Sequence, residues 1–200
     1  MGALPGLFDP TPFTRRAVLK TSAFIRPMHP KTEVRPDPST IRRILESGWV
    51  GQLKIHGHRS QIHVPASRSD DVIVYTRQGG LHKKLLTPEM LSEIRRLYTP
   101  QKGWNVIDAE WLKPEDKLFV FDLVKKDGEL LSRLPYPERW KLLPRAFISP
   151  RISTLPLLET LRDCLSAFES HDPHVEGLVF KSRTTPGFED TSIVRCRRKG

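Results

Sequence analysis

A lysine set among three histidines and a glycine opens the question of chemistry in this 200-residue chain: Gln52-Leu-Lys-Ile-His-Gly-His-Arg-Ser-Gln-Ile-His63. An ε-amine attacks carbonyl or phosphorus centres only when unprotonated, which requires partial desolvation or neighbouring cations that lower its pKa. Lys54 lies in a predicted strand that ends at Gly57, where the missing side chain lets the chain turn and a ligand approach the backbone. The competing reading is a lysine on the solvent face of an edge strand. His56, His58 and His63 do not all share one face of a regular strand, and no carboxylate or cysteine stands close in sequence, so this cluster is not expected to ligate a metal.

Three more stretches pair charge with apolar strands. Asn105-Val-Ile-Asp-Ala-Glu-Trp111 puts Asp108 and Glu110 on one face of an apolar strand, a costly placement unless they meet a cation or hydroxyls. Leu118-Phe-Val-Phe-Asp-Leu-Val124 is an apolar strand interrupted by one aspartate. Val175-Glu-Gly-Leu-Val-Phe-Lys181 carries a carboxylate and a lysine at an odd spacing, which sends them to opposite faces unless the strand bulges at Gly177.

The elements that must hold these residues follow from periodicity and punctuation. Segments 49–56, 60–65, 72–76, 104–112, 117–124, 175–181 and 192–198 are rich in apolar and β-branched residues between turn signals, and predict a largely antiparallel sheet system. Residues 39–48, capped by Ser39 or Thr40 and closed by Gly48, predict a short helix. Thr87-Pro-Glu-Met-Leu-Ser-Glu-Ile-Arg-Arg-Leu-Tyr98 has a Thr cap, a first-turn proline and an apolar stripe, and predicts an amphipathic helix. Two further helices are expected at 137–143 and 154–169. Residues 1–38 hold seven of the eighteen prolines, so this arm is expected to run extended along a surface rather than pack as helix or sheet. Its Arg15, Arg16, Lys20 and Arg26 are placed either to touch phosphates or to form a solvated basic leader.

Composition bounds the partners. The formal net charge of +10 makes a polyanion the first suspicion, although solvated lysines alone give the same sum. Cys164 and Cys196 are too few for a disulfide framework or a zinc ribbon, and no apolar run reaches the roughly 20 residues of a membrane span. With no signal peptide at the N-terminus, the expectation is a cytoplasmic, monomeric protein without membrane partners.

In order along the chain, these stretches resemble the nucleotidyltransferase superfamily of ATP-dependent polynucleotide ligases and capping guanylyltransferases, from about residue 49 to the C-terminus. The resemblance implies that Lys54 of Lys54-Ile-His-Gly-His-Arg59, matching a Lys-x-Asp-Gly-x-Arg strand, is the nucleophile that becomes bonded to a nucleoside monophosphate. His56 replaces the usual aspartate, as in a group of RNA ligases, whereas Arg59 looks like DNA ligases. Asp108-Ala-Glu110 matches Asp-Gly-Glu, and Phe121 the phenylalanine that stacks on adenine. Glu176 to Lys181 matches Glu-Gly-x-Val-x-Lys, and Arg195-Cys-Arg197 the last Lys-x-Lys with both lysines replaced. Tyr75-Thr-Arg-Gln-Gly79 is similar to a phosphate-gripping Ser-Arg-Asn-Gly stretch, carried here by Arg77. The segment from Asp127 to Leu143, through Pro137-Glu-Arg-Trp-Lys-Leu-Leu143, is similar to a DNA-ligase helix.

What this implies is an α+β fold, two twisted antiparallel β-sheets flanked by helices around a nucleotide-binding cleft, spanning 39–200 after the arm, with no C-terminal oligonucleotide-binding barrel in the chain. Lys181 and Arg59 are implied as catalytic partners of Lys54, and Arg195 and Arg197 as phosphate neutralisers. Glu176 is implied as a ligand to Mg2+, with Glu110 either a second ligand or a holder of the ribose hydroxyls. Gln52 is placed to read the adenine edge, against the alternative of a strand polar residue, and Phe121 to stack on the base, against a place in the core. The expected activity is that of an ATP-dependent DNA ligase sealing nicks in duplex DNA, with roles in repair and replication. An RNA ligase is the alternative enzyme, and a GTP-using capping enzyme a more distant one. A nucleic-acid-binding module that kept the fold without catalysis is the alternative from another class.

Overall fold

The computed structural model describes residues 22–144 and 149–198. Two β-sheets face one another across a cleft, and each has its outer face covered by helices. The strands are β1 (Thr32–Glu33), β2 (Trp49–Ile55), β3 (His58–Pro65), β4 (Ile73–Thr76), β5 (Trp104–Leu112), β6 (Lys117–Lys126), β7 (Glu129–Leu130), β8 (Ile152–Thr154), β9 (Val175–Ser182) and β10 (Ile193–Arg197). The helices are α1 (Pro38–Glu46), α2 (Pro88–Tyr98), α3 (Tyr136–Lys141) and α4 (Leu161–Glu169). A four-stranded sheet runs β1-β10-β9-β2 and a six-stranded sheet runs β4-β3-β5-β6-β7, with β8 beside β6. Pairing is antiparallel except for β1 on β10 and β8 on β6, which are parallel.

Two amphipathic layers make the cores. On the four-stranded sheet, Leu178 and Phe180 of β9 and Cys196 of β10 pack with Ile41 of α1 and Cys164 and Ala167 of α4. The alternate residues of β9, Val179 and Lys181, line the cleft, as the period of two in a strand requires. On the six-stranded sheet, Ile62, Val64, Ile107 and Val120 pack with Met90, Ile94 and Tyr98 of α2. Thr87 caps α2 by accepting from the Met90 amide, as its Thr-Pro-Glu signature predicts.

Several expectations need correction. The cap of α1 is Asp37, whose carboxylate accepts from the Thr40 amide, and Pro38 supplies the first turn. The stretch 154–160 is not helical. Pro156 biases Leu155 toward an extended conformation, the Leu155 amide donates to the Val120 carbonyl, and α4 starts only after Thr160 accepts from the Asp163 amide. The arm does contribute to a sheet: Thr32 and Glu33 pair with Val194 and Arg195. Arg15, Arg16 and Lys20 lie outside the described residues.

From Ser22 to Val34 the chain forms a strap across the mouth of the cleft. At its first end, Gln61 of β3 holds the Ile25 backbone through both an N–H and a C=O, and Phe24 packs on Tyr75 of β4. At its second end, Val34 donates to the Arg195 carbonyl of β10. The strap therefore fastens to both sheets. No helix among the described residues is long and apolar enough to cross a membrane.

Candidate active site

Between the sheets lies a cleft of about 750 Å³. Its wall on the four-stranded sheet is built by β2, β9 and β10, and the Lys54 Nζ there stands 2.6 Å from Glu176 Oε1. This contact depends on an irregularity. Lys54 pairs with Gly177 and Ile55 with Val175, so Glu176 is an extra residue in β9, a bulge at the position that the odd spacing demanded. Gly177 has φ +148°, and a Cβ there would stand 2.2 Å from the Cys196 carbonyl oxygen, so only glycine fits. The bulge brings Glu176 to the same cleft as Lys181. Gly57 serves a second close approach, since a Cβ on it would meet Leu112 at 2.9 Å and Glu110 at 3.0 Å.

Lys181 is the most buried cation of the cleft. Burial drives its pKa down to about 7, with Asp122 pulling the other way. Its Nζ stands 3.2 Å from Gln52 Oε1, 3.8 Å from the Tyr136 ring centre and 4.8 Å from the Phe121 ring centre. Gln52 is itself buried, and its Nε2 donates to the Leu155 carbonyl at 3.2 Å. Its amide is thus largely engaged by the protein, with the oxygen held by donors and the nitrogen by a carbonyl.

The opposite wall belongs to the six-stranded sheet. Arg59 of β3 grips Asp108 of β5 through two hydrogen bonds at 3.1 and 2.6 Å, and its Nη1 donates to the Met28 carbonyl of the strap at 2.5 Å. The same guanidinium lies 5.4 Å from the Phe121 ring centre. Phe121 is half-buried and lines the cleft beside both cations. Glu110 lines it as well. Burial raises its pKa to about 7 against the pull of Arg59 and Lys54, and Asp108 and Glu176 add repulsion. Among the described residues no cluster of three or more His, Cys, Asp or Glu side chains is placed to hold a metal. The donor set nonetheless fits a magnesium ion, which needs only one or two carboxylates when substrate phosphates supply the rest, and a divalent cation would relieve the repulsion of Glu110 by Glu176.

Arg77 and His29 form the rim, joined by an Arg77 Nε to His29 Nδ1 hydrogen bond of 3.2 Å. Arg195 and Arg197 project along β10 beside Glu176, but both are paired with Glu33 of the strap: Arg197 grips it at 2.9 and 2.8 Å and Arg195 at 3.1 Å. Arg195 borders the main cleft, and Arg197 an adjoining hollow that Glu176 also touches. Of the three histidines, His63 is buried with its pKa lowered to about 4, whereas His56 and His58 are exposed. His56 Nδ1 stands 3.4 Å from Glu176 Oε1, so the histidine in the aspartate position reaches the same carboxylate as Lys54.

Sequence reasoning did not single out Glu33, Tyr136, or Arg139 as the partner of Asp122. Arg139 is fully buried and bonds Asp122 twice at 2.9 Å. The lone aspartate in an apolar strand was the visible half of that pair.

No family model matches the chain, and no curated protein matches it. Solved structures do. A structure described as "mycobacterial DNA ligase D complexed with ATP and MES" superposes with a TM-score of 0.53 at 16% identity, covering 77% of this chain and 56% of that one. The ligase domain from M. tuberculosis LigD gives a TM-score of 0.58 at 16% identity, over 85% of this chain and 59% of that one. A structure named Pmar-Lig_PreS3 gives 0.52 at 15% identity, over 84% and 46%. The chain thus spans about half to three-fifths of the chains it matches. What the likeness shows is the fold: two β-sheets flanked by helices, arranged as in the ligase domain from M. tuberculosis LigD.

Proposed function

We propose that the protein is an ATP-dependent polynucleotide ligase that works through a lysyl-AMP intermediate on Lys54 and seals nicks in duplex DNA. The observation that carries this reading is the convergence of Lys54, Glu176, Lys181, Glu110 and Phe121 on one cleft from four separate strands. In the first step the Lys54 Nζ loses a proton and bonds to the α-phosphorus of ATP, and the bond to pyrophosphate breaks. Glu176, 2.6 Å away, is the nearest base for that proton. Lys181 and Arg195 set positive charge against the phosphate oxygens, whose negative charge grows as the bond breaks. Phe121 offers a face for the base. A magnesium ion held by Glu176 and Glu110 would neutralise phosphate charge. In the second step a 5′-phosphate oxygen displaces Lys54 from phosphorus, and in the third a 3′-hydroxyl displaces AMP.

DNA is favoured over RNA by Arg59 and by the Tyr75-Thr-Arg-Gln-Gly79 and Pro137-Glu-Arg-Trp-Lys stretches. His56, in contact with the carboxylate that Lys54 uses, is the feature that favours an RNA ligase. The test is incubation with α-labelled ATP and magnesium followed by a denaturing gel. A covalent band that disappears in Lys54→Ala supports the reading, and the discharge of that band by nicked DNA against nicked RNA assigns the substrate. Wild-type protein that stays unlabelled while binding nicked duplex would leave a non-catalytic module in place of the enzyme.

A further inference from the structure

We propose that Tyr136 is a positioning residue for Lys181: its ring face holds the lysine ammonium charged and fixed at the floor of the cleft. The inference rests on the ligase reading for its consequence, though not for its geometry. Tyr136 begins α3 and is buried, with 2% of its surface exposed. Its ring centre lies 3.8 Å from Lys181 Nζ. Its hydroxyl stands 2.7 Å from Gln52 Oε1 and 2.8 Å from the Phe121 carbonyl oxygen, so its one proton serves either acceptor. Gln52 Oε1 in turn faces Lys181. Tyrosine, amide and lysine form a closed triangle, and the Arg139 guanidinium lies 5.7 Å from the tyrosine's ring centre.

The physical need for such a residue is plain. The ammonium is cut off from water, which favours the neutral amine, and a neutral Lys181 could not stabilise phosphate charge. The groups that face it are Asp122 on β6 and Asp108 on β5, which favour its charge, and Arg59 on β3 and Arg139 on α3, which oppose it. Both aspartates are already shared with those two arginines. The ring quadrupole adds attraction without adding a titratable charge, and it does so in a desolvated place where a cation–π contact is strongest.

Tyr136→Leu removes the ring face, Tyr136→Phe removes only the hydroxyl, and pentafluorophenylalanine at position 136 keeps the ring's shape while reversing its charge distribution. The direct readout is a ¹³C-lysine NMR titration of the ligand-free protein, with the Lys181 signal identified by its loss in Lys181→Met. Lys181 should lose its proton about one pH unit lower in the leucine and fluorinated variants, and at the wild-type pH in Tyr136→Phe. The basic limb of the adenylation rate against pH should move down with it, about tenfold in rate at pH 8. Should the leucine variant fail to fold, the phenylalanine and fluorinated pair decides alone. Lys181 titrating at one pH in all four proteins, or shifting as far in Tyr136→Phe as in the fluorinated variant, overturns the proposal. Absence of adenylation in the wild type would overturn the ligase reading and leave the NMR result to judge Tyr136.

Discussion

Two ion pairs of this molecule are built from the same charges and differ in almost everything else. Arg139 and Asp122 are sealed, with side chains 0% and 3% exposed, and meet through two parallel hydrogen bonds. Lys54 and Glu176 meet through one oxygen at 2.6 Å, with side chains 23% and 28% exposed to the cleft. A planar fork on a carboxylate is rigid and specific in direction, whereas an ammonium on one oxygen can be parted without breaking a lattice of bonds. The first pair joins α3 to β6. The second stands where a phosphate could come between its members. The same chain thus uses arginine where a charge is sealed in and lysine where it faces an open cleft.

The contrast is broken most completely by Lys54→Ala, which should abolish covalent labelling by ATP. It should change unfolding free energy by no more than about 1 kcal/mol, because an ion pair on a single oxygen that opens to the solvent of the cleft contributes little stability. Loss of the fold in that variant would erase the distinction between the two pairs. Arg139→Met should do the reverse, costing about 3–5 kcal/mol in denaturant unfolding because Asp122 is left buried and unpaired. Replacing Asp122 and Arg139 together by apolar residues of similar volume should restore much of that loss, and a double variant as unstable as the single one would mean that the pair's own attraction matters more than the stranded charge.

Glu110→Gln sharpens the comparison through pH. A carboxyl raised to about 7 in the folded state binds its proton more tightly there than in the unfolded chain. Wild-type stability should therefore fall as pH rises from about 4.5 to 7, by up to about 3 kcal/mol, and the glutamine variant should lack this decline. His63, held near 4, works in the opposite sense over an overlapping window, losing stability as pH falls from about 6.5 to 4, so the difference between variant and wild type is the quantity to plot. Identical pH dependence in the two proteins would mean that Glu110 is solvated. The smallest effect is expected of Arg77→Ala. Binding to nicked duplex should weaken with salt, and this variant should reduce the logarithmic slope by roughly one phosphate contact. An unchanged slope would place Arg77 off the nucleic acid.

Much of the frame was legible because local rules decide it. The bounds of β5 and the Thr87 cap follow from alternation and from Thr-Pro-Glu, and the odd spacing of Glu176 and Lys181 left a bulge at Gly177 as the way for both to share a face, with Glu176 the extra residue. The rest depends on distant partners. A two-residue parallel strand such as β1 has no period to detect, and nothing near Glu33 in sequence points to Arg195 and Arg197. The stretch from Thr154 to Thr160 is held extended by Pro156 and by distant backbone partners, the Val120 carbonyl at Leu155 and both backbone groups of Gly51 at Leu158. Asp122 was visible as an anomaly, but nothing in the helix expected at 137–143 pointed to Arg139 as its partner, and Tyr136 falls just before that range.

The strap at the mouth of the cleft resembles a belt fastened with two different buckles. At one end, amide and guanidinium groups hold backbone atoms at Ile25 and Met28, contacts that dissolved ions barely weaken. At the other, beside the backbone pairing of β1 on β10, Glu33 is held by Arg195 and Arg197 through partly exposed charges that ions screen. Rising ionic strength would therefore loosen the Glu33 clasp first, freeing two guanidinium groups beside the cleft while the backbone contacts at Ile25, Met28 and Val34 stay fastened.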